Sequence, residues 1–341
     1  MGPAKPTEAA PESLAEAVVA GDRRALARAI TLVESSRAEH RDRAAALLAA
    51  LLPQTGRSVR IGISGVPGVG KSSFVERFGL HAIGQGHRVA VLAVDPTSRV
   101  SGGSILGDKT RMEALGRHRD AFIRPSPAGR TLGGVARRTR EALLVCEAAG
   151  FDVVLVETVG VGQSETAVAE MTDLFLLLLL PGGGDELQGL KKGIVEIADI
   201  VLVNKADGDL TAAARHSAAD YRNAIHMLRR AHPDWRVPVR TCSALTGEGI
   251  AEAWDTIGDY RRIMGGNGAI AARRQAQALD WMWSEIEGGL IAALRAHPAV
   301  QGRLAATERA VRDGRETPSA AARSLIRSFL GMAADRHIPE A

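Results

Sequence analysis

The sequence is poor in cysteine, in aromatic residues and in long apolar runs. Its 341 residues include two cysteines, Cys146 and Cys242, and only 4% of them are aromatic. Two cysteines cannot build a disulfide framework, so we expect a reducing, intracellular setting. The most apolar run, LFLLLLL from Leu174 to Leu180, is far too short to cross a bilayer as a helix. It predicts a central strand of a parallel sheet, buried on both faces.

Targeting and nucleic-acid-binding signals are also missing. The N-terminus has no apolar signal core, and Pro6 occupies the position where a myristoylation signal needs Ser or Thr. We therefore expect a cytoplasmic protein without membrane contact. The stretch from Arg88 to Arg140 contains eleven basic and four acidic residues. Such an excess is typical of a solvated arginine-rich surface or of one that meets an acidic partner. With few aromatic residues and no recognition motif, the composition does not favour nucleic acid as a partner.

Short β-branched runs alternate with helical patterns from Val59 onward. The runs are VRIGIS, RVAVLAV, DVVLVE, LFLLLLL, IVLVN and VPVRTC. This alternation predicts an α/β fold with a mostly parallel central sheet flanked by helices on both faces. In such a sheet, ligands bind at the carboxyl ends of the strands. We therefore expect the functional residues at those ends.

Helical segments flank the predicted sheet on both sides in sequence. Residues 1–56 are alanine-rich, with helices predicted near 14–20, 22–35 and 38–52, and the stretch PQTGRS then breaks the pattern. The sheet domain is predicted over 57–262 and a C-terminal helical region over 263–341. In the helix after the glycine break GGNG, one apolar stripe contains Leu279, Trp283, Ile286, Leu290 and Leu294. A second C-terminal helix is predicted to open at Thr317-Pro318. The stripe needs a cover, which is either the core or a second copy of the chain.

A phosphate-binding motif follows the first predicted strand. The stretch GVPGVGKSS, from Gly65 to Ser73, matches the P-loop pattern and opens a helix, as that motif requires. Its glycines free backbone N–H groups to point at phosphate oxygens, and the helix N-terminus adds its dipole. Lys71 is expected to reach the β- and γ-phosphates, and Ser72 to bind Mg²⁺ through its hydroxyl. The predicted phosphate-binding residues are Gly65, Pro67, Gly68, Val69, Gly70, Lys71, Ser72 and Ser73.

Two further stretches predict a guanine-binding site. NKAD, from Asn204 to Asp207, follows the strand IVLV. An Asp carboxylate accepts two hydrogen bonds from the N1–H and amine of guanine, whereas adenine offers no such donor pair, so the motif favours GTP over ATP. CSAL, from Cys242 to Leu245, follows another predicted strand as a second base-contacting loop. The predicted base-binding residues are Asn204, Lys205, Asp207, Ser243, Ala244 and Leu245.

Three acidic residues are expected near the metal beside Ser72. Asp95 ends a strand in VDPTS, and Asp108 lies in a Gly- and Ser-rich loop that could order when the γ-phosphate is present, although an ordinary turn Asp fits equally well there. In ETVG, Glu157 ends a strand and Gly160 follows three residues later. That spacing lets a backbone N–H meet the γ-phosphate while the carboxylate orients metal-bound water. Glu is one methylene longer than the usual Asp and can hold the same water.

Taken together, these stretches resemble a known family. GVPGVGKSS, VDPTS, GGSILGDKTRM, ETVGVGQSE, PGGGDELQGLKKGIVEIAD and NKAD look like those of the methylmalonyl-CoA mutase-associated GTPases, called MeaB in bacteria and MMAA in mitochondria, and formerly ArgK. The family belongs to the SIMIBI class of P-loop GTPases, in a branch with Glu in place of Asp at the position of Glu157. The resemblance, over roughly residues 20 to 330, implies a P-loop NTPase fold, GTP or GDP with Mg²⁺ as cofactors, and a C-terminal helical dimerisation arm.

The resemblance also implies a function. The chain would be a GTP-binding and GTP-hydrolysing chaperone for an adenosylcobalamin-dependent acyl-CoA mutase, above all methylmalonyl-CoA mutase, gating cofactor loading and protecting or reactivating the mutase. Its homodimer would form through the C-terminal helices. GGGDELQGLKKG would be a third switch loop with Asp185 and Lys191 as movable charges, so that Lys191 joins Lys71 and Glu157 in catalysis. No residue stands out as an efficient base, which favours slow hydrolysis alone and stimulation by the partner.

Two alternatives stay open at this point. A nickel-delivery GTPase of the urease or hydrogenase maturation type shares the fold and the Glu, but it needs thiolate or imidazole ligands. Here nine histidines are scattered and the two cysteines lie apart. A transport-associated ATPase or small-molecule kinase would need a preference for ATP, against which NKAD argues.

Overall fold

The computed structural model describes residues 10–35, 37–94, 112–125, 132–158, 164–182, 192–227 and 232–331. Contacts between residues divide the chain into two compact units, Met1–Arg274 and Gln275–Ala341. The boundaries expected from sequence, at residues 57 and 263, stay a prediction.

A seven-stranded sheet forms the centre of the first unit. Its strands are β1 Val59–Gly65, β2 Val89–Val94, β3 Ala121–Arg124, β4 Val153–Thr158, β5 Leu174–Leu179, β6 Ile200–Val203 and β7 Val239–Thr241. They lie in the order β3-β2-β4-β1-β5-β6-β7, and every neighbouring pair is parallel. The predicted α/β fold with a mostly parallel sheet is confirmed. The strand β3 was missed, because its four residues AFIR are mostly half-buried at the sheet edge and give no apolar run.

Helices cover both faces of this sheet. They are α1 Pro11–Val19, α2 Arg23–Val33, α3 Ala38–Leu51, α4 Lys71–Gly84, α5 Glu113–Arg117, α6 Leu132–Ala148, α7 Ser164–Ala169, α8 Lys192–Glu196, α9 Thr211–Met227 and α10 Ile250–Gly266. The helices α1, α2 and α3 pack on one another and on α6, and the core on this side of the sheet also includes residues of α9. The core on the other face includes residues of α4, α5 and α10.

The first two helices begin at residues whose role can be read from the sequence. Pro11 occupies the first position of α1, where its missing N–H costs nothing. Asp22 caps α2, because its carboxylate accepts hydrogen bonds from the backbone N–H groups of Arg24 and Ala25 at 2.7 and 2.8 Å. The predicted apolar face of α6 is confirmed, since each of its five residues is at most 2% exposed: Val135, Thr139, Ala142, Leu143 and Cys146.

The middle strands of the sheet end side by side. In β1, β4 and β5 nearly every residue is buried, as expected for strands covered on both faces. The register pairs Ile63 of β1 with Glu157 of β4, and Ala93 of β2 with the same Glu157. Because these strands are parallel and in step, their carboxyl ends meet at one edge of the sheet.

Three helices end the described chain: α11 Ala269–Ala296, α12 Pro298–Arg312 and α13 Pro318–Leu330. The sequence predicted only two here, because Pro298 starts a helix of its own that the apolar pattern did not separate. Thr317 caps α13 by accepting a hydrogen bond from the N–H of Ala320 at 3.3 Å. Leu279, Trp283, Ile286 and Leu290 of the predicted stripe are between 40% and 59% exposed. None of the helices in the described ranges is both long and apolar enough to cross a membrane.

Candidate functional site

The turn between β1 and α4 forms a backbone cradle at the carboxyl ends of the strands. Gly65 ends β1 so close to β5 that a Cβ at this position would overlap the carbonyl oxygen of Leu178. Gly70 precedes α4 with a φ of 93°, and a Cβ there would lie 2.8 Å from Nδ2 of Asn204. Both positions therefore require glycine. The result is a tight turn that aims the N-terminus of α4 at the space above the strand ends, where its N–H groups can bind an anion.

Lys71 is the first residue of α4 and lies over this turn. Its Nζ donates to the carbonyl oxygen of Gly65 at 2.7 Å and lies 3.4 Å from that of Val66. Burial lowers the pKa of Lys71 below its ordinary value, although the negative charges of Glu157 and Glu165 act in the opposite direction. The ammonium group is thus partly desolvated and held by weak neutral acceptors. An incoming phosphate would be a stronger partner for it.

Ser72 and Glu157 bring two oxygen atoms together beside the cradle. The Ser72 hydroxyl donates to Oε1 of Glu157 at 3.2 Å, and the Glu157 side chain is buried at the end of β4. Next to it, the hydroxyls of Ser64 and Thr158 lie 2.9 Å apart and join β1 to β4. A hydroxyl and a carboxylate are hard oxygen ligands of the kind that Mg²⁺ prefers. The pair fits such an ion, with the longer Glu side chain reaching the hydroxyl directly.

Asn204 joins the phosphate turn to the loop after β7. Its Nδ2 donates to the carbonyl oxygen of Val69 at 2.7 Å, and its Oδ1 accepts from the N–H of Ala244 at 3.0 Å. The thiol of Cys242 also lies 3.6 Å from Oδ1. Asn204 is 1% exposed, so all of these bonds are shielded from water. One buried amide therefore fixes the position of the predicted base loop relative to the predicted phosphate loop.

Asp207 and Ser243 form the second link within the predicted base site. The Ser243 hydroxyl donates to Oδ1 of Asp207 at 2.7 Å and accepts from the N–H of Thr246 at 3.1 Å. One carboxylate edge is thereby held by the protein, and the other lone pairs of Asp207 are available to a ligand. Lys205 has a φ of 60°, an uncommon conformation for a residue with a Cβ, and its side chain is exposed. Leu245, two residues after Ser243, is 72% exposed.

Several of the predicted residues lie outside the described residues: Asp95, Asp108, Gly160, Asp185 and Lys191. Asp95 directly follows Val94, the last residue of β2, in the sequence. The described predicted residues fall into two groups, one on the turn from Gly65 to Ser73 with Glu157 and one on the loops after β6 and β7. The bonds of Asn204 connect the two groups.

Two residues of the site were not found from the sequence. Glu165, in α7, is 5% exposed, and its charge acts on Lys71 together with that of Glu157. The position three residues after the glycine-rich stretch has no pattern that marks it. Arg77, in α4, donates from Nη2 to the carbonyl oxygen of Leu245 at 2.9 Å. An exposed Arg on a helix looks like surface in the sequence, and only the tertiary fold brings it to the base loop.

A metal site built from several His, Cys, Asp or Glu side chains is not found among the described residues. Within the ranges that the structure describes, no group of three or more His, Cys, Asp or Glu side chains is arranged to hold a metal ion. Cys146 and Cys242 are both buried and free.

Comparison with known proteins gives consistent matches. Residues 26–299 match the protein family described as methylmalonyl Co-A mutase-associated GTPase MeaB. A protein of Caulobacter vibrioides is 60% identical over 318 residues, which are 93% of this chain and 97% of that protein. The Mus musculus protein named methylmalonic aciduria type A homolog, mitochondrial, is 48% identical over 322 residues, which cover 92% of this chain and 78% of that protein.

A solved structure agrees with these relatives. The crystal structure of a protein described as LAO/AO transport system kinase matches with a TM-score of 0.74 and 38% sequence identity, covering 95% of this chain and 99% of that one. The P-loop between β1 and α4 and the seven-stranded parallel sheet are those of a P-loop NTPase. With the family match extending over most of the chain, the conclusion is direct: the chain belongs to the methylmalonyl-CoA mutase-associated GTPase family, MeaB.

Proposed function

We propose that this chain binds GTP with Mg²⁺, hydrolyses it slowly alone, and acts as a nucleotide-dependent chaperone of an adenosylcobalamin-dependent acyl-CoA mutase. The observation that carries the nucleotide part is the bonding of Asn204, which ties Val69 of the phosphate turn to Ala244 of the base loop. Because the phosphate site and the base site are held at a fixed distance from each other, together they suit a nucleotide, which carries both groups, better than a free phosphate or a free base.

The proposed reaction is attack of a water molecule on the γ-phosphorus. The new bond joins the water oxygen to phosphorus, the bond from phosphorus to the β,γ-bridging oxygen breaks, and the water proton leaves with inorganic phosphate. Lys71 would neutralise charge on the β- and γ-phosphates, and the backbone N–H groups between Gly65 and Ser72 would hold the remaining oxygens. Bound Mg²⁺, held by Ser72 and Glu157 and by Asp95 and Asp108 as the family implies, would neutralise further phosphate charge.

Slow hydrolysis in the free protein is part of the proposal. Glu157 is engaged with Ser72, and Lys71 is held by a backbone carbonyl. In the reacting state Glu157 would hold the Mg²⁺ ion and the ammonium group of Lys71 has no lone pair, so neither would take a proton from the attacking water. We propose that acceleration comes instead from Lys191, which would be brought to the site when the partner binds and would stabilise the negative charge of the transition state. Lys191→Ala should leave GTP affinity within about threefold and remove stimulation by the partner, and unchanged stimulation would exclude this role for Lys191.

The proposed partner is an acyl-CoA mutase that uses adenosylcobalamin. The family description names methylmalonyl-CoA mutase as the associated enzyme, and the mouse relative carries the name of methylmalonic aciduria. Contacts that exist with the γ-phosphate and are lost with GDP would change the affinity for this partner, which is how a nucleotide could gate cofactor loading and rescue. We place the complex in the cytoplasm, a setting that suits two free cysteines.

A homodimer through the C-terminal helices completes the proposal. Leu279, Trp283, Ile286 and Leu290 recur at intervals of three or four along α11, so they share one helix face. All four are large, apolar and at least 40% exposed. Covering such a stripe with the same stripe of a second copy would remove it from water on both chains.

Nucleotide choice is the experiment that tests the proposal against its alternatives. Binding of GDP and ADP, with and without Mg²⁺, is measured by titration calorimetry, and we expect guanine to be preferred by at least 100-fold. Equal affinity for ADP would favour an ATPase or kinase instead, the activity class in the description of the matching crystal structure. Tight binding in a parallel nickel titration would favour the metal-delivery alternative.

A further inference from the structure

The turn after β7 is anchored at several points. Ala244 is fixed through its N–H to Asn204, and Ser243 through its hydroxyl to Asp207. Further along, the N–H of Gly247 donates to the carbonyl oxygen of Ser243 at 2.9 Å. These bonds define the turn from Ser243 to Gly247, which we call the base turn.

Arg77 holds the outer side of the base turn. Its guanidinium donates to the carbonyl oxygen of Leu245 at 2.9 Å. In the part of the chain that the structure describes, no ion pair ties Arg77 to a carboxylate. The planar guanidinium presents its donors in a fixed geometry, and a carbonyl is a suitable acceptor. Leu245 itself is 72% exposed, which leaves its backbone with little packing to hold it.

The position of Arg77 in α4 connects this contact to the phosphate site. Arg77 lies six residues after Lys71, on the helix whose N-terminus forms the phosphate cradle. The hydrogen bond to Leu245 therefore joins the phosphate-binding helix to the base turn on the outside, while Asn204 joins the turn before that helix, at Val69, to the base turn on the inside. Two attachments, one buried and one exposed, restrict rotation of the turn better than the buried one alone.

The base turn in turn orients the carboxylate of Asp207. The Ser243 hydroxyl lies between the N–H of Thr246, from which it accepts, and Asp207, to which it donates. Movement of the turn at Leu245 changes the position of Thr246, then of the hydroxyl, then of the carboxylate. A ligand that bonds to that carboxylate would be affected most by the change.

We propose that Arg77 is a positioning residue for guanine recognition: by holding the carbonyl of Leu245 it keeps the base turn in the form in which Ser243 orients Asp207. This inference rests on the proposed nucleotide site. Arg77 itself touches no part of the nucleotide in this scheme, so its loss should lower selectivity for the base and leave the phosphate site unchanged.

The test compares Arg77→Ala with the unchanged full-length chain in binding GDP and ADP. Loss of one hydrogen bond should weaken GDP binding about 3- to 10-fold, while ADP binding stays within twofold, so that the ratio of the two affinities falls by the same factor. Arg77→Lys should recover part of the ratio. Equal weakening of GDP and ADP, or no change in either, would overturn the inference, because a general effect on α4 does not distinguish the bases.

Two further variants complete the test. Arg23→Ala is the matched control, since Arg23 also donates to backbone carbonyls, those of Arg119 and Ala121 at 2.7 and 2.9 Å, and should leave the ratio unchanged. In a Ser243→Ala background, Arg77→Ala should cost less than alone, because both changes act through the same carboxylate. Full additivity would contradict the route through Ser243. If the unchanged chain showed no preference for GDP over ADP, the proposed nucleotide site itself would fail, independently of Arg77.

Discussion

Replacing Asp207 by Asn should turn the base preference of this protein from guanine to xanthine. Guanine offers two donors to the carboxylate, its N1–H and its amine. An Asn side chain keeps one acceptor for N1–H but places an NH₂ group against the guanine amine, so one bond is lost and two donors face each other. Xanthine has a carbonyl oxygen where guanine has the amine, and the same NH₂ group can donate to it.

The size of the effect follows from the bonds at Asp207. A hydrogen bond to a charged group is worth about 1.5 to 3 kcal/mol, and an unsatisfied donor costs about 1 to 3 kcal/mol more. Because Asp207 is only half-buried, the lower part of each range applies. The sum of about 3 kcal/mol corresponds to GDP binding that is roughly 150-fold weaker. The amide oxygen of Asn can still accept from the Ser243 hydroxyl, so the loop should keep its form.

Titration of GDP and of xanthosine diphosphate into Asp207→Asn measures both sides of this change. We expect GDP to weaken by about two orders of magnitude and the xanthine nucleotide to bind within about tenfold of the original GDP affinity. Asp209→Asn is the control, because Asp209 is an exposed neighbour that should not meet the base. If Asp207→Asn bound GDP within threefold of the unchanged chain, the assignment of the base site to Asp207 would be wrong.

Three further predictions concern the metal, acid stability and the helical stripe. Glu157→Gln should lower the Mg²⁺-dependent part of GTP affinity, and GTP turnover, by at least about 10-fold, because a carboxylate ligand is lost, while GDP binding measured in EDTA stays within threefold; equal binding losses with and without Mg²⁺ would contradict the metal role. Burial alone would raise the pKa of Glu147, but the hydrogen bonds and charge of Arg60, with the hydroxyl of Ser58 and the N–H of Gly56, hold it below its ordinary value. The pair therefore stabilises the fold above the unfolded pKa of about 4.3 and loses this contribution as pH falls through the lower folded pKa, so urea unfolding should show a steeper acid loss for the unchanged chain than for Glu147→Gln, and parallel pH profiles would refute this. Trp283→Glu, on the exposed stripe of α11, should shift a dimer to a monomer in sedimentation velocity, and Ser284→Glu, exposed on the same helix but outside the stripe, is the control; a Trp283→Glu variant that still sediments as a dimer would exclude the stripe as the interface.

Much of the fold could be predicted because the residue patterns of the central strands and of α6 indicate that they are buried. Runs such as LFLLLLL have no polar face, so only a strand covered on both sides suits them, and Val135 to Cys146 repeat at helical spacing. The strand β3 was missed because it is an edge strand of four residues that pairs only with β2. Three of its residues are half-buried, so its sequence shows no distinctive apolar pattern. Pro298 was missed as a helix start for a similar reason, since the residues on both sides of it are helical.

The candidate site was predictable where a local turn carries the chemistry. Gly65, Gly70 and Lys71 belong to one turn whose backbone demands can be read from their spacing. The charge of Glu165 acts on Lys71, and Arg77 donates a hydrogen bond to Leu245, in both cases across the fold. Nothing in the sequence next to Glu165 or Arg77 indicates this. Sequence spacing reports the backbone conformation of a loop, whereas contacts between distant side chains depend on how the elements pack.

The most direct test of the proposed function is the affinity of this protein for an adenosylcobalamin-dependent acyl-CoA mutase in each nucleotide state. Titration calorimetry with purified methylmalonyl-CoA mutase, in GDP and in a non-hydrolysable GTP analogue, measures it, and GTP turnover is followed in the same mixtures. We expect the two affinities to differ by about 5- to 150-fold, the usual range for coupled binding sites, and the mutase to accelerate GTP hydrolysis. Absence of binding, or equal affinity in both states with unchanged turnover, would contradict the proposed chaperone role.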